Sequence, residues 1–480
     1  MGKRLAIWWI RHDLRLHDNA SLHAAVDTAD AVLPLFVWDA ESAPVCEDGQ
    51  RSVDKLVLGG ANQWWLAESL KHLQSKIESA GTRLHILKSS LLDALDTVGE
   101  QYDVSLVAAE RRFEPGSEDI ENAVQAWCQR RGIECVLTKP NHLVEPGQIT
   151  SQSGAPMRVF TPFWKRLQGV YQPGTPIPEP DEISGLAKWH DVGQVDPDTI
   201  APTHPWAKKL AEHWEPGEAS AHAALDLFFD KTPEYKGDRD FPCIEGTSKL
   251  SPHIHFGEVS VQAIWTTLCT HEKAEPFLRQ LAWREFAYHL LSCFPETIDT
   301  PMMSSFEAFP WQPNEEEQVA WTRGRTGYPI IDAGMRELWE TGWMHNRVRM
   351  IVASFLTKHL LMPWKTGAEW FEDTLVDADL ANNTMGWQWV AGCGADAAPY
   401  FRVFNPILQG KKFDPEGEYV RRWLPELKDL PDKFIHEPWA APESTLQTAR
   451  VNLGSNYPHP MIDHAKGRQR ALEAYATIKG

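Results

Sequence analysis

Residues 5–19, LAIWWIRHDLRLHDN, open with six apolar residues and turn to charge at Arg11. A run this short is too brief for an amphipathic helix, and its aromatic and β-branched content suits a buried strand. Working outward, comparable apolar runs recur at 31–38, 82–87, 104–109 and 133–137. Between them, 62–80 and 117–130 carry apolar residues at helical spacing with polar opposite faces. Strands alternating with helices predict an α/β domain over residues 1–140, a doubly wound, Rossmann-like parallel sheet. Such sheets hold ligands beyond the carboxyl ends of their strands, where the charged loops 11–19 and 110–118 fall.

Beyond this region the composition changes. Residues 170–206 hold seven prolines in 37 positions, the mark of an irregular stretch, and 141–206 is read as an inter-domain connector. Strand signals then nearly vanish. Helical periodicity at 218–229, 274–293, 330–360, 367–376 and 463–478 predicts one all-α domain over 207–480. The acidic run 315–317 reads as a solvated face, and no internal repeat or low-complexity tract is present.

The 480-residue length allows two or three domains, and 42% hydrophobic with 24% charged residues is ordinary globular composition. The net charge of -19 disfavours anionic partners, although a whole-chain charge averages over faces and a basic groove can sit on an acidic body. Seven scattered cysteines without a C-x-x-C pair read as free thiols in a reducing compartment, against a structural zinc site or a disulfide framework. The apolar run at the N-terminus is too short for a signal peptide or a membrane span, so a cytoplasmic protein without membrane partners is expected. The 22 tryptophans, against 9 tyrosines, exceed what core packing calls for, so some indoles are expected to serve chemistry.

Several short motifs compete with plainer readings. Residues 392–397 fit G-x-G-x-x-A but follow no strand, which removes the context of a dinucleotide fingerprint. His253, His255 and Glu258 resemble metal ligands, yet no second cluster accompanies them, so polar packing at a helix start is preferred and no metal is expected. Residues 246–252, GTSKLSP, offer hydroxyls and backbone donors before a helix, suited either to a phosphate or to ordinary capping. In 377–425, Asp377, Asp379, Asn382, Asn383, Trp387 and Trp389 lie within 13 residues, a combination suited to holding a polar heterocycle. From 399 to 425, five lysines or arginines against three acids alternate with Tyr400, Phe401, Phe404 and Trp423. This fits a base-stacking surface, or a surface helix pair with snorkelling arginines.

These segments resemble the photolyase and cryptochrome flavoprotein family. The likeness runs in family order through R-x-D-L-R-x-x-D-N at 11–19, VFTPFWK at 159–165, EGTSKLSP at 245–252, LAWREF at 281–286, TGYPIIDAGMR at 326–336, TGWMHNRVRM at 341–350 and the 377–425 block. It implies an N-terminal α/β antenna domain joined by a long loop to an all-helical FAD domain. SPHIHFGEVS and RRFEP are more similar to the class III branch than to class I.

The activity the resemblance implies is light-driven repair of cyclobutane pyrimidine dimers in DNA by a carbon-carbon lyase, in which excited reduced FAD lends the dimer an electron. FAD would be held by Tyr235, by Thr247, Ser248, Lys249, Leu250 and Ser251 around the pyrophosphate, and by Asp377, Ala378 and Asp379, with Arg349 pairing Asp377. Asn383 matches the position facing flavin N5, where plant cryptochromes typically carry Asp. Trp387, Trp364 and Trp311 match an electron-transfer chain, for which indole suits because its radical is fairly stable. Trp283 and Met350 match lesion contacts, and Arg239, Gln280, Asn346, Arg347, Trp389, Arg402 and Gln409 match positions that touch a flipped-out dimer or its DNA. Gln280 departs from the Glu of many class I members, which implies altered lesion contacts.

A positive groove is expected from Arg347, Arg402, Lys411, Lys412, Arg421 and Arg422. A second antenna chromophore is implied, methenyltetrahydrofolate or a deazaflavin; the acidic folate-binding residue of class I aligns near Gly116 and Ser117, which leaves a folate bound differently, a deazaflavin or no antenna as the alternatives. The implied partner is damaged DNA and the implied state a monomer. The competing reading is a blue-light photoreceptor that signals through a protein partner without repair; Asn383, Trp283 and Met350 weigh against it.

Overall fold

The computed structural model describes residues 4–39, 58–186, 193–397 and 401–479. The chain divides into two compact units that interleave along the sequence: Met1–Ala207 with Trp214–Thr232 and Ser248–Pro295, and Lys208–His213 with Pro233–Thr247 and Glu296–Gly480.

The first unit contains five parallel strands, β1 (Leu5–Ile10), β2 (Ala31–Trp38), β3 (His85–Lys88), β4 (Val104–Glu110) and β5 (Glu134–Thr138), in the order β3-β2-β1-β4-β5. This is the doubly wound parallel sheet expected. All six residues of β1 are buried, which is why the strand reads as a continuous apolar run rather than an alternating one. The helices α1 (Ala20–Thr28), α2 (Gly60–Ser79), α3 (Leu91–Gln101) and α4 (Ser117–Arg131) connect the strands in sequence. The helical spacing read in the sequence covers α2 and α4 but not α1 and α3. Both missed helices are short and begin at side-chain caps: Asn19 accepts from Leu22 N, and Ser90 accepts from Asp93 N.

The second unit is helical, and among the described residues it holds no strand beyond an isolated bridge between Leu453 and Tyr457. The stretch with helical periodicity over 330–360 is helical, in three pieces. Pro329–Thr341 stops at Gly342, which adopts φ 66, a left-handed conformation that ends helices. Asn346–Ser354 then starts afresh on His345 and widens into a π-turn at Phe355–His359. The core joins Trp321, Tyr328, Leu356, Trp364, Trp387, Tyr419 and Tyr457 in one buried cluster. No described helix is long and apolar enough to cross a membrane.

Candidate functional site

In the first unit, the charged loop after β1 turns inward. Arg11 pairs with Glu121 at 2.5 Å and Arg15 with Glu110 at 2.9 Å, all four side chains buried or nearly so. Burial raises the Glu110 carboxyl to about 7, against the pull of Arg15. Asn19 donates to Asp13, and the Asp13 carboxylate also accepts from Arg11 N. The strand ends expected to face a ligand are therefore laced by the protein's own ion pairs.

The motif SPHIHFGE resolves as polar packing. Glu258 is fully buried and accepts from Trp65 Nε1 at 3.0 Å and Gly217 N at 2.8 Å, with Ser69 and His253 also in hydrogen-bond contact. No group of three or more metal-ligating side chains occurs among the described residues.

Just upstream, Ser248 Oγ accepts from Leu250 N at 3.3 Å, and Lys249 adopts φ 52. Leu250 is buried, whereas Lys249 and Ser251 are exposed where the short helix Ser251–His255 begins. The segment thus turns its apolar member in and leaves a hydroxyl and an ammonium outward, a donor set that suits a phosphate. Gln280 and Trp283 lie one turn apart on the helix Glu275–Cys293. One face of Trp283 is taken by Phe160, stacked at 3.7 Å and 7°, and Gln280 Nε2 donates to Pro276 O at 3.1 Å. Stacking on one face fixes the indole plane of the half-buried Trp283.

In the second unit, the helix Asn346–Ser354 is the chief organiser. His345 accepts from Arg347 N at 3.1 Å and so caps it. Burial holds the His345 imidazole down at about 4, so at neutral pH it is uncharged and able to accept. Asn346 is exposed. Arg347 pairs with Asp240 at 2.7 Å, lies 4.4 Å from the Phe413 ring and reaches Met350 Sδ at 3.8 Å. Arg349 donates to both oxygens of Asp377 at 2.9 and 3.0 Å and to Met344 O at 2.7 Å, which is the pairing expected.

Asp379 spends one oxygen capping the helix Leu380–Ala391 through Asn382 N, at 2.9 Å, while Ala378 is buried. Asn383 Nδ2 donates to Ala368 O at 2.9 Å and Glu372 Oε2 at 3.2 Å. Because both partners are acceptors, the amide orientation is dictated and Oδ1 points elsewhere. Tyr235 is buried, which raises its phenol to about 12, and Arg239 lies 5.2 Å from its ring.

Trp387 and Trp364 are buried and Trp311 is half-buried, all three in or against the same core cluster. Two residues missed in the sequence frame Trp387: Phe371 at 5.0 Å and Trp321 at 6.2 Å, both edge-on. Trp321 donates its N–H to Val352 O. No motif marks either residue.

The basic stretch requires two corrections. Phe401 and Phe404 are core residues, Phe401 stacking on Tyr475 at 4.6 Å, so they are not free platforms for bases; Tyr400 lies outside the described residues. Three of the six groove cations are neutralised: Arg347 by Asp240, Lys411 by Glu437 at 2.5 Å and Arg421 by Asp432 at 2.6 Å. Arg402, Lys412 and Arg422 make no ion pair among the described residues. Arg402 is exposed, and Gln409 is half-buried on the helix Pro406–Phe413. Trp389 donates to Asp396 O at 3.0 Å.

Residues 6–181 match the family described as DNA photolyase, and 277–477 match the FAD binding domain of DNA photolyase. The chain is 44% identical to a deoxyribodipyrimidine photo-lyase of Agrobacterium fabrum, over 98% of each chain. It is 38% identical to cryptochrome-1 of Arabidopsis thaliana, over 98% of this chain and 70% of that one. The crystal structure of a bacterial class III photolyase from Agrobacterium tumefaciens superposes with a TM-score of 0.93 at 43% identity, covering 100% of this chain and 98% of the other. Full-length identity at this level, together with both domain matches, means that the chain belongs to the photolyase and cryptochrome family.

Proposed function

We propose that this protein is a deoxyribodipyrimidine photo-lyase that binds DNA carrying cyclobutane pyrimidine dimers and splits them under blue light. The observation that carries the reading is the helix Asn346–Ser354, which presents exposed Asn346 and the Arg347–Met350 pair and also supplies Arg349, held on Asp377. One rigid element thereby serves lesion and cofactor together. FAD, when bound and reduced, supplies an excitable electron donor to the dimer.

The donor set fits that cofactor. The hydroxyls and backbone of 247–251 suit its pyrophosphate, and the ion-paired Asp377 with Asp379 suits its hydrogen-bonding edge. The amide of Asn383, its hydrogens already committed, offers an acceptor oxygen suited to an N–H group. Trp387, Trp364 and Trp311 form the proposed route by which electrons enter from the surface, since short hops between indoles outpace one long transfer. Trp283, braced by Phe160, and Met350 receive the flipped dimer, while Gln280, Arg239, Asn346, Trp389, Arg402 and Gln409 contact its polar edges or the strand.

The reading extends to the class III branch, to a second, light-harvesting chromophore, to a monomer and to the cytoplasm. Asn383 with Trp283 and Met350 favours repair over signalling without repair. Competition binding in darkness tests the substrate: dimer-containing duplex should displace a labelled lesion strand far better than undamaged duplex, and equal competition would refute lesion recognition.

A further inference from the structure

Ser354, which ends the helix Asn346–Ser354, and Lys358, in the π-turn Phe355–His359 that follows, reach the same irregular segment before the helix Pro406–Phe413. Ser354 Oγ accepts from Phe404 N at 3.4 Å, and Lys358 Nζ donates to Arg402 O at 2.5 Å. The Lys358 ammonium also sits 4.5 Å from the centroid of Phe401, whose other contacts include the stacked ring of Tyr475. Lys358 is 4% exposed and makes no ion pair with any carboxylate among the described residues. Burying an ammonium without a counter-charge is costly, so its retention calls for a purpose beyond core packing, where Met or Leu would serve better. Its nearest charged or titratable neighbours are the guanidinium of Arg402, the thiol of Cys393 and the imidazole of His359. Ser354, Lys358, Trp389 and Tyr475 line one cavity. π-turns within helices are uncommon and gather at functional positions.

We propose that Lys358 is a positioning residue for lesion recognition, clamping the backbone at Arg402 so that the exposed guanidinium is held ready for the DNA. The inference rests on the reading of Arg402 as a DNA contact. Its advantage is entropic: a long, exposed arginine on a loose segment would lose freedom on binding, and a fixed backbone removes part of that cost beforehand. The tether itself is charge-assisted, roughly twice the strength of a neutral hydrogen bond. Burial lowers the Lys358 ammonium to about 7, so the tether is strongest below that pH and weakens as the proton is lost.

The test measures affinity for dimer-containing duplex, and turnover at saturating duplex, in K358M, R402A, the double variant and K358R. K358M should weaken affinity about tenfold with turnover at saturation nearly preserved, and the double variant should bind no worse than R402A. K358R keeps a permanent charge, so the decline in affinity from about pH 6 to about pH 8.5 should be shallower than in the native protein. If R402A binds normally, the reading of Arg402 fails and the inference with it. If R402A weakens binding but K358M does not, or if the two losses add, Arg402 stands and the clamp is refuted. Should K358M not fold, an unchanged pH profile in K358R refutes the clamp.

Discussion

Gly367 lies so close to Trp387 that a Cβ at position 367 would fall 2.0 Å from the indole. The ring of Trp387 occupies the space a side chain would need, and Phe371, one turn on, meets the same indole edge-on. Gly367→Ala must therefore displace the ring. The expected cost is about 1–3 kcal/mol of stability, read by urea unfolding. Photoreduction of bound oxidised FAD should slow, whereas repair by chemically reduced enzyme should suffer less. Unimpaired photoreduction would remove Trp387 from the proposed route.

Asn383→Asp would set a carboxylate beside Glu372, whose Oε2 now accepts from the amide at 3.2 Å. Two carboxylates at that distance cannot both ionise comfortably, so one should hold a proton with a raised pKa. Any share of negative charge left near the flavin should make its reduction harder. The midpoint potential of bound FAD is expected to become more negative, measured by spectroelectrochemical titration, and Glu372→Gln in the same background should deepen the change, because the carboxyl at 383 is then free to ionise.

The paired and unpaired cations should separate by function. Arg421 donates to Leu430 O at 2.7 Å and Lys428 O at 3.1 Å and pairs with Asp432, so it ties together the turns that follow its own helix. Arg421→Ala should cost about 1–3 kcal/mol of stability and leave the salt dependence of DNA binding unchanged. Arg422→Ala and Arg402→Ala should each do the reverse, lowering the slope of log affinity against log salt by up to about one.

Acid should weaken the fold through His345. Its pKa is lowered by burial to about 4, below the usual value near 6.5 expected when unfolded, so the native state binds fewer protons. The stabilisation is fully present above about pH 6.5 and is lost as pH falls toward 4, reaching about 2 kcal/mol at pH 5. Protonation at Nδ1 would also abolish the cap on Arg347 N. Urea unfolding at neutral and mildly acidic pH should show this loss, and His345→Asn, which keeps a capping oxygen without a titrating group, should flatten the dependence.

Much of the fold could be read from period and punctuation. Buried strands such as Leu5–Ile10 announce themselves because both faces are apolar, and the long helices show their stripe. The short helices Ala20–Thr28 and Leu91–Gln101 did not, because a single capping Asn or Ser is a weak signal. The helix break at Gly342 was hidden by apolar spacing that continues across it. At the site, Arg349 and Asp377, each carried by a long motif, form an ion pair. Glu372, Trp321, Ser354 and Lys358 carry no sequence signal, because their importance lies in what tertiary folding brings beside them. Local charge misled at Lys411 and Arg421, whose carboxylate partners are distant enough in sequence to be invisible to a windowed count.

The central claim is most directly tested by mixing the reduced protein with dimer-containing oligothymidine and following the ultraviolet absorbance that splitting restores to thymine, under blue light and in darkness. Recovery in light and none in darkness is the predicted result. Absence of recovery in light, with FAD shown by its spectrum to be bound and reduced, would contradict the repair function.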